Sequence, residues 1–472
     1  MKSLGSNTPI IAVSINYRLN VFGFGASSDL LSSKNLSGTG PKGCNYGLND
    51  QHVALQWIST NISHFGGDPD KITIAGQSAG GASVHAQVLH AKMSSEKPMF
   101  RRAILQSGSM GCLGPSSLAD ADERWEKLCA RLQIEGSGSE RVEKLRLLDE
   151  EVLIQASNEE GWMVWDSIVD GISLIPTDIG SEVLVNFGHE DDSHARINDQ
   201  PIEIIIGDAD NEVCIFHNLS APPFTQSNVH RKQGQLFAHG LASISSYAQI
   251  EDIFHASYPS SLAASEIMLA YNLAPNSPLP ELHKNMTQFI SDAMFGYTSF
   301  EASHFLRLPS PQSPTTKTKS YHPTPVREYK MKYGNPFSGS KFKIAHHCIE
   351  LIYLFDCFHE FLLAADEAEA GGRVPAFYED TDAANEEVYQ AARTNAELVR
   401  DIQSEWLEFI TKDDVEVESS DEIKVWGFDR ASKMESLTGG PERVAHKERF
   451  DVLARWGKVA MRKVLRKING QV

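Results

Sequence analysis

Lys71-Ile72-Thr73-Ile74-Ala75-Gly76-Gln77-Ser78-Ala79-Gly80 is the stretch on which the fold is decided. Its first five residues form a short apolar, β-branched run, and Ala79 to Leu89 has helical character, so the residues between them must turn a strand sharply into a helix. The turn has the pattern G-x-S-x-G, which holds a serine in a strained backbone conformation and needs small residues beside it. At an average glycine usage of about 7%, such a pattern arises by chance in roughly one chain in six of this length. The strand before it and the helix after it supply the setting that chance does not.

The flanking sequence repeats the alternation. Upstream, Pro9-Ile10-Ile11-Ala12-Val13-Ser14-Ile15-Asn16-Tyr17 is an apolar run that reads as a strand buried on both faces. Leu48, Val53, Ala54, Trp57, Ile58 and Ile62 recur near helical spacing between Leu48 and Phe65, and Gly66-Gly67-Asp68-Pro69 ends that helix. Downstream, Phe100 to Gln106 gives a further strand. Strand, helix, strand, helix, strand predicts a mostly parallel sheet with helices on both faces. Residues 110 to 200 read as helical and acidic, and Glu203 to Gly207 as another buried strand. Helices follow to about Leu306, and Leu308 to Pro325, rich in Pro, Ser and Thr, reads as a mobile surface loop. Strand character resumes from Val326 to Tyr333. From Ala384 onward the chain reads as mostly helical, with Trp406 and Phe409 packing inward. No internal repeat is evident, and residues 1 to 472 are expected to form one domain.

Composition narrows the function classes. With 41% hydrophobic and 22% charged residues the chain can build a sizeable core. A formal net charge of -19 argues against a nucleic-acid partner, because a phosphate backbone calls for a basic surface. No run approaches the roughly 20 apolar residues of a membrane span, and Met1 to Pro9 has no secretory-signal character. The six cysteines, Cys44, Cys112, Cys129, Cys214, Cys348 and Cys357, are widely spaced without a CxxC pair, which favours free thiols over a zinc site or a disulfide scaffold. Sequons at Asn35, Asn61, Asn218 and Asn285 would suit a secreted chain, so a cytoplasmic and a secreted location both stay open.

Several blocks occur in a fixed order: Asn16-Tyr17-Arg18-Leu19, Asn45-Tyr46-Gly47-Leu48-Asn49-Asp50-Gln51, Asn61-Ile62 through Phe65-Gly66-Gly67-Asp68-Pro69, Gly76 to Gly80, and Gln106-Ser107-Gly108. Together they resemble the signature blocks of the type-B carboxylesterase/cholinesterase family. The resemblance is strongest over residues 9 to 110 and returns near 205 to 216 and 326 to 360. It implies an α/β-hydrolase fold with large helical insertions and a serine nucleophile at Ser78.

A serine hydroxyl is a poor nucleophile at neutral pH, so a histidine must take its proton and an acid must orient that histidine. Gly207-Asp208-Ala209-Asp210-Asn211-Glu212 resembles the block in which a glycine precedes the family's catalytic glutamate by five positions, which nominates Glu212. Asn211 and Val213 depart from the usual acid and glycine there, and Asp208 and Asp210 compete for the role. His347-Cys348-Ile349-Glu350 resembles the His-x-x-Glu block and nominates His347 as the base over its neighbour His346. Glu350 is either a supporting hydrogen-bond partner or a helix-surface carboxylate. Gln77 stands where the family often has Glu, which removes a charge beside the serine.

The implied chemistry is acyl transfer to Ser78 followed by hydrolysis, acting on a small-molecule ester without metal or organic cofactor. The backbone N–H of Ala79 would give one oxyanion donor. The family's glycine-rich loop carrying the others has no counterpart among the eight residues before Pro9, so the resemblance implies a chain lacking its N-terminal part, with the first strands of the sheet incomplete. A triacylglycerol lipase and a family member that acts as an interaction protein are the alternative readings. Oligomeric state is not legible.

Overall fold

The computed structural model describes residues 9–33, 43–94, 96–111, 114–160, 165–170, 202–213, 240–307, 324–337, 341–373, 391–412 and 421–468. Six strands form one sheet in chain order: β1 (Thr73–Gln77), β2 (Arg102–Gln106), β3 (Glu203–Ala209), β4 (Val326–Met331), β5 (Glu422–Trp426) and β6 (Ser432–Ser436). The pairs from β1 to β5 are parallel and β6 runs antiparallel to β5. This is the α/β-hydrolase type of sheet, mostly parallel and flanked by helices.

Both faces are covered, as the continuous apolar runs predict. Ala103 and Leu105 of β2 pack with Ile204 and Ile206 of β3 beneath Leu48 and Leu55 of the helix Tyr46–Asn61 and Val84, Val88 and Leu89 of the helix Ala79–Met93. Ile104 and Ile205 point the other way, onto Tyr329, Ile349, Tyr353, Leu398, Ile402, Trp406 and Phe409. Trp406 and Phe409 therefore face inward from the helix Asn395–Thr411, as the sequence suggested. A third core, built around Phe254, Met286, Phe289 and Leu453, holds the later helices together. Buried Arg102 joins the layers: it pairs with Glu203 and donates to the carbonyls of Ile410 and Lys412 at the end of the helix Asn395–Thr411. Those carbonyls have no intrahelical donor of their own, and a cation at a helix C-terminus is favourable.

Two expectations are corrected. Pro9 to Tyr17 forms no strand and pairs with none among the described residues, and Ile10, Ile11 and Val13 are 39%, 47% and 48% exposed. An apolar run specifies burial only where a ladder partner receives it, and among the described residues the sheet's first strand is β1. In the helix Tyr46–Asn61, Val53 and Trp57 face outward, while Leu48, Leu55 and Ile58 carry the buried stripe. The helical reading of residues 110 to 200 holds where they are described, in Leu118–Arg131, Ser139–Arg146 and Glu150–Glu159. The expected loop lies outside the described residues from 308 to 323, as do Asn35, Asn218, Cys112 and Cys214. Cys44, Cys129, Cys348 and Cys357 are free thiols. No helix among the described residues is long and apolar enough to cross a membrane.

Register places the site. Gln77 of β1 aligns with Gln106, Gln106 with Gly207, and Gly207 with Tyr329, so the segments leaving β1, β2, β3 and β4 emerge at one edge. In open parallel sheets, ligands bind at this carboxyl end of the strands.

Candidate active site

Ser78 sits between β1 and the helix Ala79–Met93 at φ 57°, ψ -121°, a conformation L residues rarely adopt. Its N–H donates to Gln106 O at 2.8 Å and its carbonyl accepts from Ala82 N at 3.0 Å, fixing the turn at both ends. Close backbone approach explains two glycines. A Cβ on Gly76 would lie 2.2 Å from Gly80 O, and one on Gly108 would lie 2.0 Å from Ser78 O. Gly80 has open space around its missing Cβ, so the close approach explains the motif's first glycine and not its second. The N–H of Ala79 opens the helix, where the first donors have no intrahelical acceptor.

Glu212 lies just beyond β3 and is fully buried. Its Oε1 accepts from Ala209 N at 2.6 Å, its Oε2 meets His347 Nδ1 at 2.5 Å, and its own N–H donates to Ser291 Oγ at 3.0 Å. Burial alone would raise the Glu212 pKa. The facing His347, with the Ala209 N–H and the Ser107 hydroxyl, instead holds it below the usual carboxylate range. The converse applies to His347: burial disfavours its charged form, yet the Glu212 carboxylate raises its pKa well above the ordinary value. Both partners thus favour the ion pair.

Backbone bonds hold the two loops in register. Asn211 bridges to His346, and its N–H donates to Ala345 O at 2.9 Å, so the residue that departs from the family pattern acts through its main chain. Asp208 and Asp210 take other partners. Asp208 pairs with buried Lys330, and Asp210 lies beside Glu442 and His446. Both ring nitrogens of His346 are engaged, Nδ1 with His347 O at 2.7 Å and Nε2 with Asn335 Nδ2 at 3.0 Å. The Phe295 ring lies 4.8 Å from the His347 ring, centroid to centroid.

Three features could not be read from the sequence. Gln77 Nε2 lies 3.1 Å from His347 Nε2, and among the described residues the Ser78 hydroxyl makes no hydrogen bond to that ring. Ser107 takes the left-handed φ of 46° and turns its hydroxyl toward both Glu212 and Glu350, 3.5 Å from Glu350 Oε1. Glu350 is fully buried, which sets aside the helix-surface reading. Burial, and then the charge of Glu212, push its pKa up to about 7. The Gln106-Ser107-Gly108 block was the available signal for Ser107 and the Gln-for-Glu departure the one for Gln77, but nothing local marks its contact with a ring 270 residues away.

Known esterases and lipases resemble this chain in sequence and fold. The profile of the Carboxylesterase family matches residues 1–370. Lipase 4 of Diutina rugosa is 33% identical over 261 residues, covering 54% of this chain and 43% of that protein. Acetylcholinesterase of Electrophorus electricus is 31% identical over 235 residues, 48% of this chain and 33% of that protein. A carboxylic ester hydrolase of Gibberella moniliformis is 42% identical over 152 residues, 31% of this chain and 27% of that protein. The chain thus spans less than half the length of these curated relatives. Among solved structures, a PNB esterase superposes with a TM-score of 0.57 at 20% identity, covering 92% of this chain and 72% of its own.

Proposed function

This chain belongs to the carboxylesterase family, and from that premise we propose that it is a carboxylic ester hydrolase working through Ser78, His347 and Glu212. The observation that carries the reading is the buried Glu212–His347 pair at 2.5 Å, set at the sheet edge where the strained Ser78 turn also lies. Glu212 holds the ring with its proton on Nδ1, which leaves Nε2 as the acceptor.

In this scheme Ser78 Oγ attacks the ester carbonyl as His347 Nε2 takes its proton. The Ala79 N–H donates to the developing oxyanion, and the imidazolium is stabilised by Glu212. His347 then gives the proton to the departing alkoxide. Water attacks the acyl-enzyme with the same nitrogen as base, and Ser78 is released as the acid product leaves. The substrate is a small-molecule ester. The chain is read as one domain, and the presence of all three triad side chains disfavours a purely adhesive role.

The lipase-named relatives favour a second, narrower reading, hydrolysis of long-chain acylglycerols. A series of p-nitrophenyl esters from acetate to palmitate tests both readings against Ser78→Ala. Ser78-dependent hydrolysis supports the esterase, a maximum at long chains supports the lipase, and equal background from wild type and variant rejects both.

A further inference from the structure

The resting geometry of His347 is unusual for a general base. Its Nδ1 is held by Glu212 Oε2 at 2.5 Å, so in the neutral ring the proton lies on Nδ1 and the lone pair on Nε2. That lone pair faces Gln77 Nε2 at 3.1 Å. In this neutral form, the one that can act as base, the amide presents its N–H₂ to Nε2, because turning its carbonyl there would set two acceptors against each other. The Ser78 hydroxyl, one residue along, is left without a bond to the ring.

We propose that Gln77 is a positioning residue that occupies the proton-accepting nitrogen of neutral His347 and competes with Ser78 for it, so that the nucleophile is activated only when the amide lets go. This rests on the reading of Ser78 as nucleophile and His347 as base. A donor on Nε2 stabilises the neutral ring and would oppose the imidazolium, whose N–H it would meet with its own. A carboxylate at position 77 would do the reverse, favouring the imidazolium by charge and offering no proton to compete with Ser78. Gln77 therefore lowers the resting reactivity of the serine and the basicity of the histidine together. The other titratable groups around the ring are Glu212, Cys348, His346 and Glu350, and none of them changes in the variants below.

The test compares wild type with Gln77→Met, which keeps the side-chain length and removes the donor, and with Gln77→Glu. The first readout is the second-order rate of Ser78 labelling by a small fluorophosphonate as a function of pH. Breaking one neutral hydrogen bond predicts an increase of about three- to tenfold in Gln77→Met. It also predicts an acid limb moved to higher pH in Gln77→Met, and further in Gln77→Glu. A merely structural glutamine would change rates at every pH without moving the limb. The second readout needs no activity: the ¹⁵N resonance of His347 Nε2, assigned by its loss in His347→Ala, moves in Gln77→Met if the amide is bonded there. Unchanged labelling, limb and resonance overturn the inference. Labelling that persists equally in Ser78→Ala overturns the nucleophile reading instead, and the resonance then decides the Gln77 contact alone.

Discussion

Replacing Glu212 by Gln removes one charge and almost no volume, and the surrounding bonds decide what that does. Glu212 has two acceptor oxygens, one taken by Ala209 N at 2.6 Å and the other by His347 Nδ1 at 2.5 Å. Glutamine has a single acceptor oxygen. If that oxygen stays on Ala209, the amide N–H₂ faces His347 Nδ1, which must then present a lone pair and carry its proton on Nε2. A ring in that tautomer cannot take the Ser78 proton. If the amide turns over, the ring keeps its tautomer, but the buried Ala209 N–H meets another donor, which costs about 1–3 kcal/mol. The first arrangement is therefore preferred. The corresponding Asp-to-Asn change of the triad acid in a serine protease lowers kcat by about 10⁴-fold, roughly 5 kcal/mol of barrier. The expected loss here is about 10³- to 10⁴-fold in kcat on p-nitrophenyl butyrate, with an unchanged near-ultraviolet circular dichroism spectrum. A folded Glu212→Gln protein within tenfold of wild type would refute the tautomer argument.

The pH profile follows from the same pair. His347 is raised well above its ordinary value near 6.5 by Glu212 and must lose its proton to act, so kcat/KM should rise with pH through a midpoint above 6.5. A midpoint at or below that value would contradict the pairing. For stability, the raised His347 contributes fully below its unfolded pKa and is lost as pH rises through the folded one. Lowered Glu212 contributes above its unfolded pKa and is lost as pH falls through its own folded value. Glu350 has the opposite sign from Glu212. Its pKa of about 7 against an ordinary 4.5 means that folding is penalised as pH rises between those values, so Glu350→Gln should stabilise by on the order of 2–3 kcal/mol at pH 8 and little at pH 4. Urea midpoints at the two pH values check this, and an equal effect at both would count against it. The turn glycines give a contrast in chemical denaturation. Gly108→Ala drives a Cβ to within 2.0 Å of Ser78 O and should cost about 1–3 kcal/mol or more. Gly80→Ala meets open space in a helix and should change stability by no more than about 1 kcal/mol, in the stabilising direction.

How far the sequence could be read depends on whether the information was local. β2 and β3 are apolar runs because they are buried on both faces, and the half-buried β1 is marked by the turn that follows it, so each announces itself. β5 does not: Glu422 and Lys424 alternate with Ile423 and Val425, inside a tail that otherwise reads as helical. β6, Ser-Lys-Met-Glu-Ser, has almost no apolar content and exists because β5 offers it an edge. Pro9 to Tyr17 shows the opposite failure, strand-like composition without a ladder partner among the described residues. In the site, Ser78 was legible through its strand-turn-helix setting, and Glu212 and His347 through ordered blocks. Their meeting across 135 residues, and the closing of Asn211 onto Ala345, depend on sheet register. The contact of Gln77 with His347 and the burial of Glu350 are likewise tertiary facts.

Covalent capture shows directly whether Ser78 is a nucleophile activated by His347. Wild type, Ser78→Ala and His347→Ala are incubated with a fluorophosphonate, digested and mapped by mass spectrometry. One stoichiometric adduct is expected on the Ser78 peptide of wild type, none in Ser78→Ala, and labelling slowed by at least about 10³-fold in His347→Ala. Folded wild-type protein that carries no adduct at Ser78, or that labels as fast without His347, would contradict this expectation.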